Sequence, residues 1–162
     1  MKRFNLPILG KYPSTPLLSK LEPVTDNKMP SRQDILLYQQ LVGSYLYPTV
    51  MTRPDGSKVA SMLATHLQKP TKAHIEAAKH AIQYLVGTAS RGIQFNRSIK
   101  EIAAFTTNTL YSDNPNQQSS EGYLIKLFRG LIDWRASRQR TVTTSTTEAE
   151  LLAISEGGKQ LI

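Results

Sequence analysis

The stretch Thr141-Val-Thr-Thr-Ser-Thr-Thr-Glu-Ala-Glu-Leu-Leu-Ala-Ile-Ser-Glu-Gly157 contains a change of periodicity from which the rest of the chain can be read. Thr141 to Thr144 is a β-branched run ending in hydroxyl residues, and such side chains suit a pleated strand. Ser145 can then cap a helix, with Glu148 three residues on, where a carboxylate can reach back to the cap amide. Ala149, Leu151, Leu152 and Ala153 follow at helical spacing, and Gly157 and Gly158 are the expected terminators. Glu150 falls in the first helical turn, just past the expected strand, where a carboxylate can be held over a site. On spacing alone, Glu148 and Glu150 equally complement the helix dipole.

Working back from this stretch, residues 92–144 read as strands. Gly92–Asn96 and Ile102–Phe105 look like strand segments around a polar turn. Glu121–Phe128 alternates as a half-buried strand should, Arg129-Gly130 makes a hairpin turn, and Leu131–Ser137 returns with Trp134 as a core anchor. Residues 31–90 have helical period instead. Ser31 opens a helix with Asp34 as capping partner, an apolar face of Ile35, Leu36, Tyr38, Leu41, Val42, Tyr45 and Leu46, and a stop at Pro48. Thr-Arg-Pro-Asp-Gly (52–56) supplies turn chemistry, and a shorter helix is expected over 57–66 with Val59, Met62 and Leu63 inside. Thr71 caps the third helix, its stripe being Ile75, Ala78, Ile82 and Leu85, with Gly87 as the expected C-terminal cap. Residues 1–30 hold five of the nine prolines and read as an irregular arm that leans on a neighbour or moves. The fold class is therefore α+β: an arm over 1–30, a three-helix bundle over 31–90, then antiparallel strands and a helix over 91–162.

Lys and Arg outnumber Asp and Glu by 20 to 12, a formal charge of +8. That excess favours a polyanionic partner through phosphate contacts. Lys69, Lys72, Lys79 and His80 decorate the polar side of the bundle, either as a solvated face or as a nucleic-acid grip. His74 and His80 are six apart and share no ligand-forming face. With no cysteine there is no disulfide, thiolate metal site or cysteine nucleophile. An intracellular place, cytoplasm or nucleus, fits, and no apolar run approaches a membrane span.

Three blocks in order resemble the Pol polyproteins of copia-type LTR retrotransposons. Leu36–Ser61 is similar to that family's block around TRPD, Pro70–Phe95 to its block around H and AAK, and Asp133–Glu156 to its ribonuclease H segment. The resemblance implies that residues 1–30 end a polymerase palm whose paired aspartates lie upstream of Met1. Residues 31–90 would then be the thumb and connection, and 91–162 a truncated ribonuclease H-like half domain. The parent activities are RNA-directed DNA polymerisation and cleavage of RNA in RNA/DNA hybrids by carboxylates around two Mg²⁺ ions.

Glu150 matches the family's second carboxylate. In the ungapped alignment Asn108 stands at the first, with Phe105 and Tyr111 on aromatic positions. In a gapped one Asp113 takes that place. An asparagine carries no negative charge to bridge two cations. The family's third and fourth aspartates would lie past Ile162, so the expectation is a fragment without stable Mg²⁺ and without catalysis in isolation. The alternatives are a residual hybrid nuclease built on Asp113 and Glu150, and a basic nucleic-acid-binding module. The missing carboxyl-terminal half would leave a sheet edge unpaired and the second half less stable than the bundle, unless it or another Pol domain associates.

Overall fold

The computed structural model describes residues 4, 6–7, 10–17, 29–96, 103–110 and 118–160. The chain divides into two compact units, Met1–Gly92 and Ile93–Ile162. Their described residues form four α-helices and one three-stranded antiparallel sheet, an α+β chain with three helices before the sheet and one after it.

Unit 1 is built on helices α1 (Arg32–Met51), α2 (Ser57–Ala64) and α3 (Lys72–Gly87). The Ser31 hydroxyl accepts from the Asp34 amide at 3.1 Å and donates to its carboxylate at 2.7 Å. Tyr38, Leu41, Val42, Tyr45 and Thr49 then fall on one buried face at helical period. Leu36 and Leu46, expected on that face, are exposed. Pro48 does not stop the helix. A proline withholds one amide and crowds one carbonyl, but its own carbonyl still accepts, and both Thr52 and Arg53 donate to it at 2.9 Å.

Tyr38, Leu41, Tyr45 and Leu63 are fully buried with Ala78 and Ala81 of α3 against them. The Tyr38 hydroxyl donates to the Leu63 carbonyl at 2.8 Å, which lets a large ring enter the core without an orphan donor. The described part of the arm leans on this core: Leu6 is buried, and Phe4 and Leu17 pack against it. Pro23 lies outside the described residues.

Unit 2 has strands β1 (Ala103–Leu110), β2 (Ser120–Leu127) and β3 (Gly130–Arg138) in the order β1-β2-β3, followed by α4 (Thr146–Gly158). Residues 92–96 are not a strand, although the Asn96 amide donates to the Phe128 carbonyl. The hairpin turns on Phe128-Arg129, one residue earlier than expected, both at positive φ (48° and 64°). A two-residue loop of that hand matches the right-handed twist of its strands.

Thr141–Thr144 is not a strand either. Its polar groups serve the helix start and the sheet end instead. Thr144 donates its amide and its hydroxyl to the Glu148 carboxylate at 2.7 and 2.9 Å, and the Thr143 hydroxyl lies 3.3 Å from that of buried Ser119. Glu148 thus reaches the residue before the cap rather than the cap amide. Ser145 accepts from the Glu148 amide at 3.2 Å as expected.

No described glycine has positive φ. Gly87 and Gly157 lie inside their helices, which end through Thr88 and Lys159. Gly157 is instead a point of close approach: a Cβ there would meet the Phe105 ring and the Tyr123 Cβ. The buried stripe of α4 is accordingly the small one, Ala149, Ala153 and Gly157, while Leu151, Leu152 and Ile154 are exposed.

Candidate functional site

The β1–β2 register fixes which face of the sheet each candidate occupies. Phe105 pairs with Ile125 and Thr107 with Tyr123, and Phe105 and Tyr123 touch α4. Side chains alternate along a strand, so Asn108, paired with Gly122, belongs to the opposite face. Glu150 is exposed on α4. The structure therefore does not bring Asn108 and Glu150 together, and Asp113 lies outside the described residues.

A two-metal centre needs carboxylates converging on one point. The described donors do not fit one, and no cluster of three His, Cys, Asp or Glu occurs among the described residues. Trp134 pairs with Leu124 on the face away from α4 and is half-buried, so it is not the core anchor the sequence suggested. Tyr123 fills that role, buried under α4, its hydroxyl donating to Asp133 at 3.1 Å. Burial raises the Tyr123 pKa, and the Asp133 carboxylate adds to the rise.

The basic side of the bundle is mostly engaged. Lys79 pairs with Glu76 at 2.7 Å one turn away, and the His80 Nε2 lies 3.0 Å from the Thr15 carbonyl, where it ties the arm to α3. Lys69 and Lys72 are exposed, just before α3 and at its first residue. His74 is buried, a packing residue. Its Nδ1 accepts from the Thr71 amide at 3.1 Å while the Thr71 hydroxyl accepts from the His74 amide, and its ring stacks on His66 at 3.9 Å.

The turn residues 53–55 prove to be a long-range clamp that the sequence showed only as a turn. Buried Arg53 holds Asp55 bidentately at 2.8 and 3.0 Å and reaches the Thr88 carbonyl and hydroxyl at 3.0 and 2.6 Å. Tyr84 donates to Asp55 at 2.5 Å and accepts from Arg91 at 3.1 Å. The Arg53 guanidinium lowers the Asp55 pKa, aided by the Tyr84 hydroxyl. Gly56 is needed beside it, since a Cβ would strike Thr49 and the Tyr45 hydroxyl. The arrangement joins the α1–α2 turn to the end of α3, which is a structural task.

Unit 2 holds a cleft of about 420 Å³ between β3, the following loop and the second half of α4. Arg135, Arg138, Arg140 and Lys159 line it with Glu121 and Glu156. Glu156 sits 3.0 Å from Lys159 and 3.6 Å from Arg135. The Lys159 ammonium, with Arg135 and Arg140 beside it, lowers the Glu156 pKa. Gln139 also lines the cleft and is 3% exposed. Its Nε2 donates to the Ala149 carbonyl at 2.8 Å, and its Oε1 is buried without a hydrogen-bond partner. None of these residues stood out as a candidate in the sequence, where two cations around a glutamine, Arg138-Gln139-Arg140, were the available signal.

Comparison with known proteins adds an independent line. Over its whole length the chain is 35% identical to the retrovirus-related Pol polyprotein from transposon TNT 1-94 of Nicotiana tabacum, of which it spans 12%. It is 30% identical over 125 residues, 76% of its length, to the retrovirus-related Pol polyprotein from transposon RE1 of Arabidopsis thaliana, spanning 8% of that protein. Secreted RxLR effector protein 161 of Plasmopara viticola is 32% identical over 126 residues, which cover 77% of this chain and 89% of the effector. No protein-family model and no solved structure matches the chain.

Proposed function

The chain belongs to the retrovirus-related Pol polyproteins of transposons, and from that premise we propose that it is a nucleic-acid-binding segment of a copia-type polyprotein. Unit 1 serves as the thumb and connection of the reverse transcriptase. Unit 2 serves as the opening strands and first helix of the ribonuclease H-like domain. The partner is an RNA/DNA hybrid or a related nucleic acid, met in the cytoplasm or nucleus.

The observation that carries this reading is the match to a transposon Pol polyprotein over 100% of the chain, because it includes both units in one alignment. The net charge of +8 supplies the attraction to phosphate. Lys69 and Lys72 are exposed and are among the cations of the bundle that can meet it. The effector, almost wholly spanned by the match, supports the idea that a piece of this size can exist without an attached polymerase.

Cleavage is not part of the proposed role. Mg²⁺ would supply the nucleophilic water and the leaving-group stabilisation in the parent enzymes; that Asn108 is uncharged and lies by register on the sheet face away from α4, the helix of Glu150, supports a role without it. The binding role is tested by titrating a labelled RNA/DNA hybrid with the purified chain at several salt concentrations. Affinity should fall as salt rises, and Lys69→Ala with Lys72→Ala should reduce the slope of log K against log salt by about one to two. Salt-independent or undetectable binding would remove the proposal.

A further inference from the structure

The two edges of the unit 2 sheet differ in kind. Among the described residues β1 pairs with β2 alone, so its outer row of amides and carbonyls meets no strand of the sheet. Such an edge is ordinarily blunted by charge, by proline or by a bulge. The β3 edge is blunted in this way: it carries Asp133, Arg135 and Arg138, and its pairing with β2 shifts register between Ile125 and Lys126. β1, Ala-Ala-Phe-Thr-Thr-Asn-Thr-Leu (103–110), has no ionisable group and no proline, and its pairing with β2 is regular throughout. On a chain of net charge +8, it is a place where two copies can meet without bringing like charges together.

The helix above this edge is placed to complete such a contact. At Gly157 α4 comes close to Phe105 of β1 and to Tyr123 of β2, so its axis runs over the space between those two strands. Its buried stripe is Ala149, Ala153 and Gly157. Leu152 and Ile154 therefore stand about 100° to either side of Ala153. Leu152 lines the cleft on the β3 side, which puts Ile154 on the β1 side, with Leu151 one turn before it. Leu151 is 62% exposed and Ile154 50%.

We infer that unit 2 pairs with a second copy of itself through β1, antiparallel, about a two-fold axis normal to the sheet. A continuous six-stranded sheet results, and both α4 helices lie on the same face of it. With strands about 4.8 Å apart, each α4 axis lies about 5 Å from the two-fold axis, so the two helices run about 10 Å from one another, at the spacing of packed helices. Leu151 and Ile154 of both copies then fill the space between them. The contact is a strip about 27 Å long and about 20 Å high, roughly 1,000 Å² over the two copies, which reaches the size of a specific interface. This association goes beyond the nucleic-acid reading and does not depend on it.

The test is sedimentation equilibrium of the full chain, freed of nucleic acid, at concentrations up to about 0.1 mM. The chain should equilibrate between monomer and dimer. Leu151→Lys with Ile154→Lys should weaken the dimer by about tenfold or more, while Leu152→Lys, on the cleft side, should leave it unchanged. All three side chains are exposed, so the fold tolerates these changes. The chain has no cysteine, and single cysteines can therefore report the contact. At least one of Thr106→Cys, Thr107→Cys and Asn108→Cys, in the middle of β1, should link two copies on oxidation, whereas Ile132→Cys on β3 should not. A monomer at every concentration overturns the proposal, and if its β1 amides are still protected from hydrogen exchange, the edge belongs to another segment of the same chain. A dimer that withstands the Leu151 and Ile154 changes, that weakens equally with Leu152→Lys, or that links only through Ile132→Cys also overturns it.

Discussion

The two units, Met1–Gly92 and Ile93–Ile162, handle their side chains differently. Unit 1 surrounds Tyr38, Leu41, Tyr45 and Leu63 completely, and the charged residues of its turn are drawn inward onto Thr88 and Tyr84. Unit 2 buries its helix through two alanines and a glycine, and exposes Leu110, Ile132, Leu151, Leu152 and Ile154. Among its cations, Arg135 of β3 pairs with Glu156 of α4, and Arg138, Arg140 and Lys159 line the same cleft. The lesson is that the first unit closes over large side chains, whereas the second packs its helix through small ones and leaves large apolar ones exposed.

Four experiments break or sharpen that contrast. Arg53→Ala should have the largest effect, about 2–3 kcal/mol lost from unit 1, because buried Arg53 gives up its packing and its bonds to the Thr88 carbonyl and hydroxyl. Far-UV circular dichroism should show an early helical loss while Trp134 emission, which reports on unit 2, melts at its original midpoint. A common shift of both signals would show that the units are not independent. Gly157→Val should act in the converse direction, displacing the Phe105 ring and costing unit 2 about 2 kcal/mol. Here the Trp134 midpoint should fall and the bundle signal hold.

Replacing Phe128-Arg129 by Asn-Gly should raise the stability of unit 2 by about 1 kcal/mol, since left-handed backbone is costly for other side chains. Denaturant midpoints read by Trp134 check it. The smallest effect is in pH. Asp55 has a folded pKa below its unfolded value near 3.9, so its contribution is present above about pH 4 and is lost as pH falls through the folded pKa. Asp55→Asn should flatten the acid limb of the unit 1 stability curve. An unaltered limb would show that the clamp does not depend on the charge.

Much of this contrast could be read from sequence where local chemistry decides. Ser31, Thr71 and Ser145 all cap the helices they were expected to cap, and the β2–β3 hairpin lies within a residue of its expected place. Local rules failed where a competing contact won. Thr141–Thr144 has strand propensity, but Thr144 is claimed by Glu148 and Thr143 lies against Ser119. Helical spacing placed Ala149, Leu151, Leu152 and Ala153 on α4 without saying which pack inward, and the closeness of Phe105 and Tyr123 at Gly157 goes with a buried stripe of small residues. The Arg53 clamp spans 35 residues to Thr88, a separation that turn rules do not reach. At the candidate site, identity gave Glu150 and Asn108 but not their faces. Those follow from the β1–β2 register, which the sequence left open.

The most direct measurement is cleavage of a labelled RNA/DNA hybrid by the purified chain in Mg²⁺ and in Mn²⁺, with Glu150→Gln alongside and binding followed in the same samples. The proposed role predicts that both proteins bind the hybrid and neither cuts it, since Asn108 carries no charge and lies on the sheet face away from α4. Metal-dependent cutting by the wild type that Glu150→Gln abolishes would contradict this, and would place a second carboxylate, Asp113 first among the candidates, beside Glu150.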